Sequence, residues 1–158
     1  MTLPATVVVA SNRAAAGVYP DETGPLITAW LGRHGFECGD PVVVPDGDPV
    51  GQAIRAALEG GARVVLTTGG TGLTPTDRTP EATAPLLDRQ VPGLADAIRS
   101  AGVAKGVPTA VLSRGLAGVA GRCLVVNLPG SRGGVKDALE VLEPVLQHAV
   151  EQVVGSDH

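Results

Sequence analysis

The feature that most constrains this chain is the recurrence of short apolar runs, each closed by a polar or glycine-rich turn and most followed by a helical pattern. Thr6-Val7-Val8-Val9-Ala10 is apolar almost throughout, as a strand covered on both faces should be. Residues 41–44, 63–67, 109–112 and 123–126 repeat the signal. Strand-like runs alternating with helices predict a parallel α/β architecture, a three-layer α/β/α sandwich. The last two runs are joined only by residues 113–122, short enough for a hairpin, so the mainly parallel sheet is expected to carry an antiparallel edge.

Period and caps mark the helices. Leu26, Ile27, Trp30 and Leu31 share one face of a helix that Gly35 ends. Asp48 as N-cap with Pro49 behind it opens a second, striped by Val50, Ala53, Ile54, Ala57 and Leu58. Thr79-Pro80 opens a third, which Pro85 should kink. Leu94, Ala97, Ile98 and Ala101 form a fourth stripe. Val135, Ala138, Leu139 and Leu142 begin a last helix, broken at Pro144 before Val145, Leu146 and Ala149 resume.

At 158 residues the chain suits one domain, read as 1–155 with a tail at 156–158, and it can bury roughly 70% of its unfolded surface. A net charge of -4 and one each of Trp, Tyr and Phe (Trp30, Tyr19, Phe36) supply neither a basic stripe nor stacking platforms, so nucleic acid is excluded as an expected partner. Apolar runs are too short to span a bilayer and the N-terminus lacks a signal-like pattern, which predicts no membrane association and a cytoplasmic location. Cys38 and Cys123 then read as free buried thiols. His34 and His148 lie in helical patterns without a His or Cys at ligand spacing.

In an open α/β sheet, ligands bind beyond the carboxyl ends of the strands, so the segments after each strand are where chemistry is sought. Four stand out: Ser11-Asn12-Arg13; Asp46-Gly47-Asp48; the stretch 67–77, containing Thr67, Thr68, Gly69, Gly70, Thr71, Gly72 and Asp77; and the stretch 127–134, containing Pro129, Gly130 and Ser131. If their strands run parallel, all four share one rim. Three glycines within four positions let backbone N–H groups turn inward, and the threonines add hydroxyls, which suits a phosphate. Taken alone, such a loop reads equally as a tight strand-to-helix connection. It is not a P-loop, because no Lys follows the glycines.

Asp77 beside this loop is either a turn residue or a carboxylate presented to a phosphate through Mg²⁺, which takes one or two carboxylates and leaves its other positions to phosphates and water. Asp46 carries the same two readings. Ser131 as N-cap, with the N–H groups of Gly133, Gly134 and Val135, forms either a simple cap or a second anion site. Arg13, Arg78, Arg132 and Lys136 concentrate positive charge on this rim of an acidic chain, which fits an anionic small molecule.

The combination resembles the MoaB/Mog family of molybdopterin adenylyltransferases, which act in molybdenum-cofactor synthesis and also occur as domains of larger cofactor-assembly proteins. The resemblance rests on Thr67-Thr68-Gly69-Gly70-Thr71-Gly72 followed by Asp77 and Thr79-Pro80-Glu81-Ala82. Ser11-Asn12-Arg13, Gly17-Val18-Tyr19, Gly24-Pro25, Pro45-Asp46, Leu112-Ser113-Arg114 and Leu128-Pro129-Gly130-Ser131 match in order, covering nearly the whole chain. Asn12 stands where the family more often has Asp, and residues 132–136 replace a Pro-Lys-Ala-type continuation.

The resemblance implies Mg²⁺-dependent transfer of AMP from ATP to the terminal phosphate of molybdopterin. Asp46 and Asp77 would be the catalytic and metal-holding pair. Ser11, Arg13, Thr68, Gly69, Gly70, Thr71, Gly72, Pro129, Gly130 and Ser131 would bind the substrates. It also implies a homotrimer or hexamer, and a molybdenum-insertion protein as partner. A non-catalytic molybdopterin-binding scaffold of the same family is the alternative.

Overall fold

A computed structural model describes residues 2–155; the expected tail at 156–158 lies outside the described residues. In chain order the elements are β1 (Leu3–Ala10), α1 (Asn12–Ala15), α2 (Thr23–Arg33), β2 (Phe36–Cys38), β3 (Val42–Val44), α3 (Asp48–Glu59), β4 (Val64–Thr68), α4 (Thr79–Thr83), β5 (Arg89–Gln90), α5 (Pro92–Ala104), β6 (Ala117–Ala120), β7 (Cys123–Leu128), α6 (Arg132–Leu142) and α7 (Leu146–Val153). The seven strands form one sheet in the order β2-β1-β4-β7-β6-β5; β2 pairs with the first half of β1 and β3 with its second half. β1 to β4 and β7 are parallel, while β5, β6 and β7 pair antiparallel.

Alternate residues of the central strands feed two cores. Val7, Val9, Val64, Leu66, Leu124 and Val126 face α2, α5, α6 and α7, while Val8, Val65 and Val125 face α3 through Val50 and Ile54. A strand buried on both faces must be apolar at every position, so the continuous runs and the three layers are one fact. The last stripe holds as read: Val135, Ala138, Leu139 and Leu142 are buried, and the chain breaks around Pro144.

Several expectations are corrected. Residues 109–112 are not a strand but lie in a 3-10 turn, Pro108–Leu112, with Val111 and Leu112 exposed. The antiparallel partner of β7 is instead β6, across a two-residue turn in which Gly121 has φ +59°. Ala-Gly-Val-Ala carries almost no strand signal, and β6 exists because Gly118 lets the backbone of Arg89 and the side chain of Leu87 press against it.

Gly47, at φ +95°, caps α3 in place of Asp48, which becomes the first helical residue. The reversal before α3 needs the positive φ that glycine tolerates, and this moves the cap back by one. Thr79 is likewise inside α4 rather than capping it, and after Thr83 the chain tightens into a 3-10 turn around Pro85. The face of α5 is rotated from expectation: Ala95, Ile98 and Gly102 are buried, Leu94, Ala97 and Ala101 only half-buried. Gly102 is there because a side chain would strike Ala110 of the 3-10 turn. β2 and β5, three and two residues long, went unread because runs this short carry no period.

Candidate active site

The four rim loops meet. Ser11 N–H donates to Val44 O, and Asp46 N–H donates to Asn12 Oδ1 at 2.9 Å, joining the segments after β1 and β3. An aspartate at position 12 could accept the same bond, so the departure from the family's usual residue leaves this link intact. Gly69 N–H donates to Leu128 O, and Thr68 Oγ1 donates to Pro129 O at 2.6 Å, joining the segments after β4 and β7. The hydroxyl of Thr68 is therefore a strut between loops, and that of Thr67 accepts from the buried Asn127 side chain.

Glycine is required at the crossing. Gly69 and Gly70 both have positive φ, +89° and +69°. A Cβ on Gly69 would strike Ala10 O, one on Gly70 would strike Thr79 Oγ1 and lie 3.0 Å from Asp46 Oδ1, and one on Gly130 would lie 3.2 Å from Gly69 Cα. The Gly69–Gly70 and Pro129–Gly130 backbones thus form one ridge. Thr79 Oγ1 donates to Gly69 O, fixing the ridge from α4.

Asp46 comes from the loop after β3, and Asp77 from the far end of the loop after β4 that also carries Gly69 and Gly70. Asp77 Oδ2 accepts from Thr74 N–H at 3.2 Å and would lie 2.8 Å from a Cβ on Gly72. Partial burial, and then the charge of Asp77, push the Asp46 carboxyl above its ordinary pKa, against a backbone hydrogen bond from Asn12. Two carboxylates on one rim, one of them shifted by the charge of the other, are a donor set for a divalent cation. Among the described residues no cluster of three or more His, Cys, Asp and Glu side chains could hold a metal ion. Two carboxylates alone match Mg²⁺ completed by phosphate oxygens and water, and do not match an all-protein cage.

A hollow lies on either side of the ridge. One, of about 320 Å³, is lined by Ser11, Arg13, Tyr19, Thr68, Gly69, Gly130 and Arg132 among others. The guanidinium of Arg13 stands 5.4 Å from the centre of the exposed Tyr19 ring. The other, of about 560 Å³, is lined by Thr71, Gly72, Pro129, Ser131, Lys105, Lys136 and the 3-10 turn.

The expected site residues border the ridge or these hollows, except Asp77, which lies beside Gly72, and Arg78, which lines neither hollow; their free donors are fewer than the sequence suggests. Ser131 Oγ accepts from Gly134 N–H and Ser131 O from Val135 N–H, so two of the three amides read as an anion site serve the cap of α6. Ser11 Oγ likewise accepts from Ala14 N–H. Arg13 and Arg132 belong to the first hollow and Lys136 to the second. The two cysteines are free thiols, but only Cys123 is buried, which pushes it up to about 12, while Cys38, expected to be buried as well, is half-buried.

Two residues escaped the sequence reading as parts of the site. Arg114 N–H donates to Thr71 O, its Nε to Gly72 O, its Nη2 to Asp77 O and its Nη1 to Glu81 Oε2. Buried Asn127 bonds Thr67, Thr83 and the N–H of Leu116. Arg114 was met only in the Leu-Ser-Arg segment, and Asn127 only as the first residue of the stretch 127–134, with no role for either.

Fold and rim together define a class: a three-layer α/β protein with a glycine ridge suited to phosphates and a carboxylate pair beside it. A family profile described as a probable molybdopterin binding domain matches residues 6–148, and the chain belongs to that family. A molybdenum cofactor biosynthesis bifunctional protein of Synechococcus elongatus is 41% identical over 155 residues, 98% of this chain and 48% of that protein. A molybdopterin adenylyltransferase of Helicobacter pylori is 34% identical, covering 98% of this chain and 90% of its own length. The solved structure of the molybdopterin biosynthesis Mog protein from Mycobacterium ulcerans superposes with a TM-score of 0.92 at 54% identity, over 96% of this chain and 99% of that one. The chain spans about half the length of the bifunctional relatives it matches.

Proposed function

We propose that this chain transfers AMP from ATP to the terminal phosphate of molybdopterin, releasing diphosphate. The observation that carries the reading is the ridge with a hollow on each side and the Asp46–Asp77 pair beside it. A two-substrate transfer needs two sites sharing one reacting centre. Family membership and the adenylyltransferases among its relatives support it.

In this reading an oxygen of the terminal phosphate of molybdopterin attacks the α-phosphorus of ATP. The new O–P bond forms as the bond to the β-phosphate oxygen breaks, and the electron pair leaves with diphosphate. No protein nucleophile is consumed, in keeping with a rim of glycines, hydroxyls and carboxylates. The Gly70 and Gly130 amides, with Arg13, Arg132 and Lys136, hold two polyanions that would otherwise repel each other; the Gly69 N–H is spent on Leu128 O. Such positioning supplies roughly 7 to 11 kcal/mol of a barrier. Asp46 and Asp77 would hold Mg²⁺, which when bound neutralises developing charge on the phosphates.

We also assign the chain to the cytoplasm, as a homotrimer or hexamer that passes its product to a molybdenum-insertion protein. No helix among the described residues is long and apolar enough to cross a membrane, and exposed Val103, Val107, Val111 and Leu112 offer a surface for self-association. Purified protein incubated with molybdopterin, ATP and Mg²⁺ is expected to yield adenylylated molybdopterin and diphosphate, with Asp77→Ala inactive. Tight pterin binding without nucleotide turnover would instead establish the non-catalytic scaffold.

A further inference from the structure

The loop between β4 and α4 leaves the sheet at Gly69, runs out through Leu73 and Pro75, and returns at Asp77. Leu73 is 65% exposed, and no core packing reaches the loop's tip. Yet Asp77 must present its carboxylate toward Asp46 from the far end of this loop. The guanidinium of Arg114 lies across its neck. Nε donates to Gly72 O on the outgoing strand at 2.9 Å, and Nη2 donates to Asp77 O on the returning one at 2.8 Å. Nη1 pairs with Glu81 Oε2 at 2.6 Å, in the first turn of α4, and the backbone N–H of Arg114 holds Thr71 O at 2.8 Å. One planar fork thereby fixes the separation of two carbonyls and is itself aimed by a carboxylate.

Both partners of the ion pair are partly exposed, at 34% and 47%, and such pairs contribute little to stability. Their worth is therefore geometric. Each of the three guanidinium nitrogens donates one hydrogen bond, and Glu81 is the counter-charge, so the side chain is held in place by the protein itself and is not a free cation. Arg114 follows directly on Leu112 and Ser113, which line the larger hollow. The wall of that hollow and the neck of the Asp77 loop are thus one continuous piece of chain.

We propose that Arg114, aimed by Glu81, is a positioning residue that sets Asp77 against Asp46 and ties this placement to the wall of the larger hollow. The inference rests on the adenylyl-transfer reading for its activity readout, but its geometric half does not.

The test compares wild type with Arg114→Lys and Glu81→Gln in the full chain. Lysine keeps the charge and loses the fork; glutamine keeps the arginine and loses its counter-charge. Amide hydrogen exchange over residues 72–77, without substrates, is expected to accelerate in both variants, with melting temperatures near that of wild type. With molybdopterin and ATP saturating, Arg114→Lys is expected to lower kcat by about 10- to 100-fold, the scale of misplacements of about 1 Å, with KM for ATP little changed. The Mg²⁺ concentration for half-maximal rate is expected to rise several-fold, and Glu81→Gln to show a smaller effect in the same direction. Unchanged exchange in both variants would overturn the positioning role, as would loss of activity matched by a fall in melting temperature with the Mg²⁺ requirement unmoved. Inactive wild type would overturn the proposed function, and exchange alone would then decide the clamp.

Discussion

Gly70 shows how little freedom single positions of the rim retain. Its φ of +69° excludes ordinary side chains, and the space a methyl would take is already held by the Thr79 hydroxyl and approached by Asp46 Oδ1. Gly70→Ala is expected to cost about 1 to 3 kcal/mol in urea unfolding and to reduce adenylyl transfer more than stability, because Thr79 and Asp46 must both move. A variant with wild-type turnover would refute this account of the ridge. Asp46 presents the opposite case, a residue whose ionised form burdens the fold. Its raised pKa means that the folded chain binds the proton more tightly than the unfolded chain. The cost therefore appears as pH rises from the unfolded value through the folded one and persists above it. Asp46→Asn is accordingly expected to melt at or slightly above the wild-type temperature in metal-free buffer at neutral pH, while transfer falls by about 100-fold or more. A clear drop in melting temperature would show that Asp46 is structural.

Elements were legible in the sequence to the extent that burial gave them a period. β1, β4 and β7 declared themselves because both faces are covered, and α6 because its stripe is complete. The 3-10 turn at Pro108–Leu112 imitated a strand, since Thr-Ala-Val-Leu is apolar in either state, and only the placement of β6 against β7 distinguishes them. The rim loops were legible from their glycines, but Asp46 and Asp77 read equally as turn residues, and only the family resemblance paired them. Arg114 and Asn127 were not legible, since their partners lie 42 and 60 residues away in Gly72 and Thr67. Asn127 ties β7 to β4 and α4 and accepts from Leu116 N–H at 3.0 Å, where the chain enters β6. Asn127→Leu, similar in volume, removes the acceptor of that partly buried N–H and the buried side-chain bonds to Thr67 and Thr83, and is expected to destabilise by about 2 to 3 kcal/mol. In a chain of this length the melting temperature should fall by about 4 to 12 °C. No change by calorimetry would mean that water replaces the amide without penalty.

At the scale of the whole molecule, four exposed apolar side chains gather on one surface. Isolated exposed valines are ordinary, but Val103, Val107, Val111 and Leu112 crowd the end of α5 and the following turn, and Val103 and Val111 line one groove. The same segment supplies Val107, Thr109, Leu112 and Ser113 to the larger hollow on its other side. A three-fold ring pairs unlike surfaces, so this face would meet a different patch of the next subunit, and each subunit would brace its neighbour's hollow wall. Paired replacement of Val103 and Val111 by Asp puts two charges on that face without touching the core. If the chain assembles as proposed, this variant is expected to sediment as a monomer at equilibrium, to melt cooperatively, and to raise the KM of the substrate held there more than it lowers kcat. Assembly that persists would move the interface elsewhere on the molecule. A wild-type chain that sediments as a monomer at micromolar concentration would remove the assembly from the account, leaving the valines as a face for another partner.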